Sequence, residues 1–188
     1  MYKIAILIDM KISIYTDGSS RGNPGPGGWA AIMLTEGKEE GDIVAEFGGR
    51  ENLTTNNRME LTGAIVGLRE VGETFAKKGT HVEVCTDSEY VKKGMTEWID
   101  GWIKKGWKTS TKKDVLNKDL WQELKQQENR LKETGVHVTW KYVQAHVGIP
   151  LNERADTIAT ACADASSDKK CANDLQLYQG LKTNYTIQ

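Results

Sequence analysis

The segment "KISIYTD", residues 11–17, alternates: Ile12, Ile14 and Thr16 fall on one side, Ser13, Tyr15 and Asp17 on the other. A period of two is that of a strand, and this one ends on an aspartate. "GGWAAIML" (27–34) and "IVAEFGG" (43–49) read as two more strands joined by the polar "TEGKEEGD" (35–42), most simply as an antiparallel meander. The period then changes. Leu61, Ala64, Ile65, Leu68 and Val71 mark one face of a helix with Thr or Asn available as its cap, and Glu60 lies one turn before Ala64, on the inward side. "THVEVCTD" (80–87) is a fourth strand, again with a terminal aspartate, Asp87, and Ser88 can cap the helix carrying "EYVKKGMTEWI" (89–99). Leu116, Leu120, Leu124 and Leu131 mark a later helix stopped near Gly135. "VHVTWKYV" (136–143) is the fifth strand, and after "QAHVGIPL" (144–151) Asn152 can cap a final alanine-rich helix with Asp156 in its first turn. The order β, β, β, α, β, α, α, β, α predicts an α/β fold, a mixed sheet with helices packed on it.

With 188 residues and 38% hydrophobic content, the chain can bury one good core, so a single domain is expected over 1–165, followed by a polar tail, 166–188, that is partly ordered at best. No run of about 18 apolar residues occurs, and the apolar start lacks a signal peptide's cleavage region, so a cytoplasmic protein with no membrane contact is expected. Cys85, Cys162 and Cys171 have no CxxC spacing, which indicates neither a disulfide framework nor a zinc site. The net charge of −1 hides a segregation. From Lys92 to Lys118, eight lysines face only Glu97, Asp100 and Asp114, and the same stretch holds Trp98, Trp102 and Trp107. A local basic, aromatic patch on a neutral protein suits a phosphate backbone. Gly101 and Gly106 interrupt the stretch, which favours a projecting loop over a core helix with a solvated lysine edge.

Asp17 and Asp87 end strands, while Glu60 and Asp156 are expected in first helical turns; in an open sheet these places converge on one rim. Each acid alone is an ordinary turn or cap residue. Clustered, they would repel unless a cation neutralised them, and hard oxygen ligands select Mg²⁺ or Mn²⁺ over zinc. Two such ions would stabilise both the attacking and the leaving oxygen of a phosphodiester displacement. His146, in a glycine-and-proline loop ten positions before Asp156, can accept or donate a proton, whereas His81 and His137 alternate within strands and read as structural.

"YTDGSSRGNPGPGGWA", "TTNNRMELTGAI", "CTDSEYV", "WIDGWIKKGWKTSTKK" and "AHVGIPLNERAD", in this order across about residues 11–160, resemble type 1 ribonuclease H. The resemblance implies a ribonuclease H-like fold, a five-stranded mixed sheet with helices on both faces. It also implies an endonuclease that cuts the RNA strand of an RNA·DNA hybrid, leaving 5′-phosphate and 3′-hydroxyl ends. Two Mg²⁺ or Mn²⁺ ions would sit on Asp17, Glu60, Asp87 and Asp156, with His146 assisting proton transfer or product release. A monomer with no organic cofactor is expected. Ser20, Gly22 and Asn23 would meet the 2′-hydroxyls that distinguish RNA from DNA. Asn56 and Glu89 match minor-groove positions, and Thr55 matches part of a DNA-phosphate pocket. The segment of about 98–113 resembles the family's basic protrusion, in which Trp98, Trp102, Lys104, Lys105, Trp107 and Lys112 would grip the DNA strand.

The chain departs from the family pattern at Leu53 and Ile103, where relatives carry basic residues; Arg50 is the nearest replacement for the phosphate pocket. Asp9 in the extra N-terminal stretch ranks well behind Asp17, because no glycine loop follows it, and no separate hybrid-binding module is expected ahead of the catalytic domain. Two competing functions remain at this level. One is a hybrid-binding module that has lost catalysis, disfavoured by the complete acidic set; the other is a related polynucleotidyl transferase acting on DNA, disfavoured by the hydroxyl-reading loop.

Overall fold

The structure is a computed structural model that describes residues 11–36, 43–166 and 181–182, the side chains of 36, 43, 44, 181 and 182 excepted. Asp9, the stretch before Lys11 and nearly all of the tail lie outside the described residues. Strands β1 (Lys11–Ser20), β2 (Gly25–Glu36) and β3 (Ile43–Thr54) form the expected antiparallel meander, with Asp17 opposite Ala30. β4 (His81–Thr86) runs parallel to β1 and β5 (His137–Tyr142) parallel to β4. A two-residue strand from the tail, β6 (Leu181–Lys182), pairs with β3 and adds a sixth member to the five strands read from the pattern. The sheet order is β5-β4-β1-β2-β3-β6.

The alternation in β1 and β2 explains why helices cover both faces. Ile12, Ile14, Ala31 and Met33 point to one side and bury against Leu61, Ala64, Ile65 and Leu68 of α1 (Asn56–Thr74) and Trp121, Leu124 and Leu131 of α4 (Lys118–Glu133). Ala30, Ile32 and Leu34 point the other way and bury against Leu151, Ala155, Ile158 and Ala159 of α5 (Pro150–Asp164). Each fully buried aliphatic side chain contributes about 1.5–3 kcal/mol. This double-sided core holds the strand ends rigid.

Three local readings change. The glycine-rich stretch after Asp17 is mostly strand, with a turn of only residues 21–24. A Cβ on Gly28 would lie 2.2 Å from the Ala159 carbonyl oxygen, so this glycine lets α5 pack directly on the backbone of β2. The leucine stripe is shifted as well: Leu116 is 81% exposed ahead of α4, whereas Trp121 is the fully buried member. Finally, Cys162 is disulfide-bonded, although the cysteine spacing indicated no disulfide framework, while Cys85 is free and buried.

The tryptophan segment is helical rather than a loop as far as Lys104. Ser88 accepts from the Val91 amide and caps α2 (Glu89–Lys93), which runs through one π-helical turn (Gly94–Trp98) into α3 (Ile99–Lys104). The wider turn changes the helical phase, so that Trp98 meets Trp102 in a tilted contact (5.7 Å between centroids) and Trp102 packs edge-on against Trp121 (5.4 Å). Only 105–117 is irregular. There Gly106, Trp107, Lys112 and Asn117 take left-handed backbone angles, φ 64, 64, 62 and 56°.

Two glycines in this segment predict opposite outcomes. Helix propensity favours Ala over Gly by about 1 kcal/mol. At Gly101, where a Cβ meets nothing within 4 Å, G101A should therefore stabilise by about 0.5–1 kcal/mol. At Gly94 a Cβ would sit 1.9 Å from the ring of buried Trp121. Overpacking then outweighs propensity, and G94A should destabilise by about 1–3 kcal/mol in urea unfolding, with loss of the near-ultraviolet dichroism of the aromatic cluster.

Candidate active site

Parallel pairing of β1 with β4 sets Thr16 opposite Thr86, so Asp17 and Asp87 follow side by side; Asp87 lies just past the end of β4, whereas Asp17, expected to end its strand, lies within β1, which runs on to Ser20 beside β2. Glu60 reaches them from α1. It lies in the second turn rather than the first, and a Cβ on Gly18 would come 2.2 Å from its backbone nitrogen, so the helix approaches β1 this closely only over a glycine. Ligand oxygens of Asp17, Glu60 and Asp87 lie within 4.8 Å of one another. Asp156, in the second turn of α5, lies near enough for its charge to bear on Asp17. The four predicted carboxylates meet at one rim.

Their environment disfavours charge. Burial, then the charges of Asp87 and Asp156, pushes the Asp17 carboxyl up to about 8, although the Gly18 amide donates to Asp17 Oδ1 at 2.7 Å. Burial first, then Asp17 and Asp87, raises Glu60 well above the usual carboxylate range, against a hydrogen bond from Asn56 Nδ2 to Oε1 at 3.3 Å. Glu60 Oε2 is buried with no hydrogen-bond partner. A buried, partnerless carboxylate oxygen among three other acids is the donor set a hard divalent cation completes. Asp17, Glu60, Asp87 and Asp156 therefore fit such an ion.

Two asparagines serve this rim, one of which, Asn152, the pattern reading placed as a helix cap. Asn152 does not cap α5, whose cap is Ile149; it lies inside the helix, buried, and its Nδ2 donates to Asp87 Oδ2 at 3.1 Å. Its Oδ1 is also buried and unpartnered. Asn56, expected at a nucleic-acid groove, is exposed yet bonds Glu60. In both cases an i, i+4 spacing from a site acid, Asn152 to Asp156 and Asn56 to Glu60, was the available signal.

His146 sits on the β5–α5 loop in a left-handed conformation, φ 54°, with its side chain 72% exposed. Its Nδ1 is 3.8 Å from Glu153 Oε2, and Glu153 Oε1 accepts from the Gly148 amide at 3.2 Å. The loop is thus tied to α5.

Ser20 is half-buried at the end of β1, and Gly22 and Asn23 are exposed in the turn that follows. Arg21 anchors that turn, its Nε and Nη2 on the Asp164 carboxylate at 2.5 and 2.8 Å. Thr55 precedes α1 without a side-chain cap bond, and exposed Glu89 pairs with Lys93 at 2.5 Å. Arg50 does not stand in for a basic residue at Leu53: its Nη1 donates to the Ala163 carbonyl at 2.9 Å at the end of α5. Trp98, Trp102 and Trp107 are half-buried, whereas Lys104, Lys105 and Lys112 are exposed. The free surface of the protrusion is lysine.

The raised Asp17 group makes stability pH-dependent in chelated protein. Between its ordinary value, 3.8, and about 8 the folded state binds the extra proton, so stability falls as pH rises through this window. Chemical unfolding at pH 5, 6, 7 and 8 in EDTA should show stability falling most steeply in the middle of this window, by about 1.4 kcal/mol per pH unit, and less steeply near pH 8, and D17N should lessen the fall.

Comparison with known proteins gives the family. The RNase H family model matches residues 9–164. Over 159 residues the chain is 46% identical to a ribonuclease H of Pseudomonas putida, covering 85% of this chain and 97% of that protein. Over 153 residues it is 48% identical to a ribonuclease HI of the same species, covering 81% and 93%. The crystal structure of LC9-RNase H1, described as a type 1 RNase H with the type 2 active-site motif, superposes with a TM-score of 0.71 at 28% identity, over 89% of this chain and 85% of that one. No helix among the described residues is long and apolar enough to cross a membrane. The chain belongs to the ribonuclease H family, as a type 1 enzyme.

Proposed function

We propose that the protein hydrolyses the RNA strand of RNA·DNA hybrids at the rim formed by Asp17, Glu60, Asp87 and Asp156. The observation that carries this reading is the convergence of the acids with a buried, partnerless Glu60 oxygen, in a chain whose relatives are named ribonuclease H. Two Mg²⁺ ions, or Mn²⁺ in their place, would neutralise the acids and stabilise charge on the attacking and leaving oxygens. Asp17 and Glu60 anchor that charge from the buried side; Asp87, oriented by Asn152, and Asp156 complete it from the open side. Water adds to phosphorus as the P–O3′ bond breaks, leaving a 5′-phosphate and a 3′-hydroxyl. His146, exposed on its tied loop, moves a proton at the imidazole or aids release of the product.

Ser20, Gly22 and Asn23, on the turn that Arg21 clamps, are positioned to read 2′-hydroxyls, with Asn56 and Glu89 along the same groove and Thr55 at a DNA phosphate. Lys104, Lys105 and Lys112 take further DNA phosphates, while Trp98, Trp102 and Trp107 shape the segment that presents them. Phosphate contacts of this kind supply affinity without sequence preference.

Cleavage of labelled hybrid, double-stranded RNA and double-stranded DNA in Mg²⁺ should show the hybrid cut far faster than the others, and D87N should lower its rate by roughly 10²–10³-fold or more. Equal rates on all-DNA duplex, or inert wild type that still binds hybrid, would overturn the reading. Replacing Lys104, Lys105 and Lys112 together by Ala should weaken hybrid binding at moderate salt and reduce the slope of log K against log salt by up to about 0.9 per lost contact. An unchanged slope rejects the phosphate-gripping role.

A further inference from the structure

His81 and His137, read above as structural, are direct partners on parallel strands, the first residues of β4 and β5. Their rings stack, with centroids 5.0 Å apart and planes inclined by 24°. Val82, Val84 and Val138 turn to the α1/α4 core, so by alternation His81, Glu83, His137 and Thr139 face the opposite side of the sheet. On that side α5 packs on β1, β2 and β3, and both histidines are exposed. A shallow cavity of about 260 Å³ beside them is lined by Lys11, His81, Val82, Glu83 and Thr139.

We propose that His81 and His137 form a second metal site, selective for borderline transition cations such as Ni²⁺, Cu²⁺ or Zn²⁺, for which imidazole is a far better ligand than it is for Mg²⁺. Near-parallel imidazoles on paired register positions can turn one nitrogen each toward a common point, and imidazole suits these metals as carboxylate suits magnesium. Each ring has two nitrogens, so a hydrogen bond at one orients the other for ligation. Glu83 is held by Lys141 at 2.9 Å, which leaves the remaining coordination positions to water. Lys11, paired with His81 on β1, brings a like charge that keeps the site modest in affinity. The pair lies at the amino ends of strands whose carboxyl ends carry Asp87 and the His146 loop, some six residues or about 20 Å away. A bound ion would therefore staple edge strand β5 to β4 without touching the acidic rim.

The chain has three histidines, which makes the test local. Substoichiometric Cu²⁺ added to full-length protein in excess Mg²⁺ at pH 7.5 should broaden the imidazole proton signals of His81 and His137 together and before those of His146. Binding of Ni²⁺, followed by calorimetry under the same conditions, should weaken about tenfold or more in H137Q and equally in H81Q. Broadening of His146 first, uniform broadening of all three, or unchanged Ni²⁺ affinity in both folded variants would overturn the site. The nuclear magnetic resonance result on wild type decides the matter even if a variant fails to fold, and neither readout depends on hybrid cleavage.

Discussion

Mutual repulsion among four carboxylates is the constraint around which the chain is organised. Asp17 and Glu60 are each less than a tenth exposed, and both are held in surroundings that resist their ionisation. Left to relax, such a set would splay apart or protonate. It stays together because no single element carries more than one of the acids and each element is fixed by an independent core. β1 and β4 are locked by their parallel ladder, α1 by the Ile12–Leu61–Trp121 side, and α5 by the Ile32–Ile158 side. The apolar burial of the two faces thus offsets the electrostatic cost at the rim, and a cation would convert that cost into binding energy.

α5 has the most demanding placement, since it supplies Asp156, Asn152 and Glu153 in under two turns. It is pinned at several points along its length. Arg154 makes a paired contact to buried Glu46 on β3, both at 2.9 Å, and Arg21 and Arg50 hold the carbonyls and the carboxylate of its last turn. The two arginines also sit where the negative end of the helix dipole welcomes cations. Gly28 lets the helix lie directly against β2. The same contact by which Arg21 fixes the helix end fixes the turn bearing Gly22 and Asn23, so the acids and the proposed hydroxyl-reading turn are held in one frame.

How much of this was legible depended on whether a residue's partner was local. The alternation of Ile12 to Asp17 and the helical spacing from Leu61 to Val71 placed β1 and α1 correctly, and a strand end pointed to Asp87, whereas Asp17 lies inside β1, which continues to Ser20. Errors arose where a distant contact decided. Trp121, not Leu116, anchors α4 because Gly94 of another helix opens space for its ring. In the glycine-rich stretch after Asp17, Gly18 and Gly28 are spaces occupied by α1 and α5, which no local pattern reveals. Asn152 resembled a cap because a cap and a carboxylate partner use the same residue type, and only the approach of Asp87 tells them apart.

The separation of chemistry from grip follows from charge. An acidic rim repels a polyanion, so a neutral chain that binds nucleic acid must place its cations away from the acids. Here the surplus lysines are gathered on and beyond α3, while the arginines of the core region, Arg21, Arg50, Arg58 and Arg154, are engaged with acids or carbonyls of the protein itself. Lys104, Lys105 and Lys112 are exposed to solvent on a base stiffened by the tilted and edge-on contacts of Trp98, Trp102 and Trp121 and by Tyr90, whose hydroxyl accepts from Trp121 Nε1 at 3.1 Å. Because Ser88, which caps α2, follows directly on Asp87, the lysine-bearing helix starts from the rim itself. A phosphate held by the protrusion, as proposed, would therefore be referenced to the carboxylates through one continuous piece of backbone, not through a flexible linker.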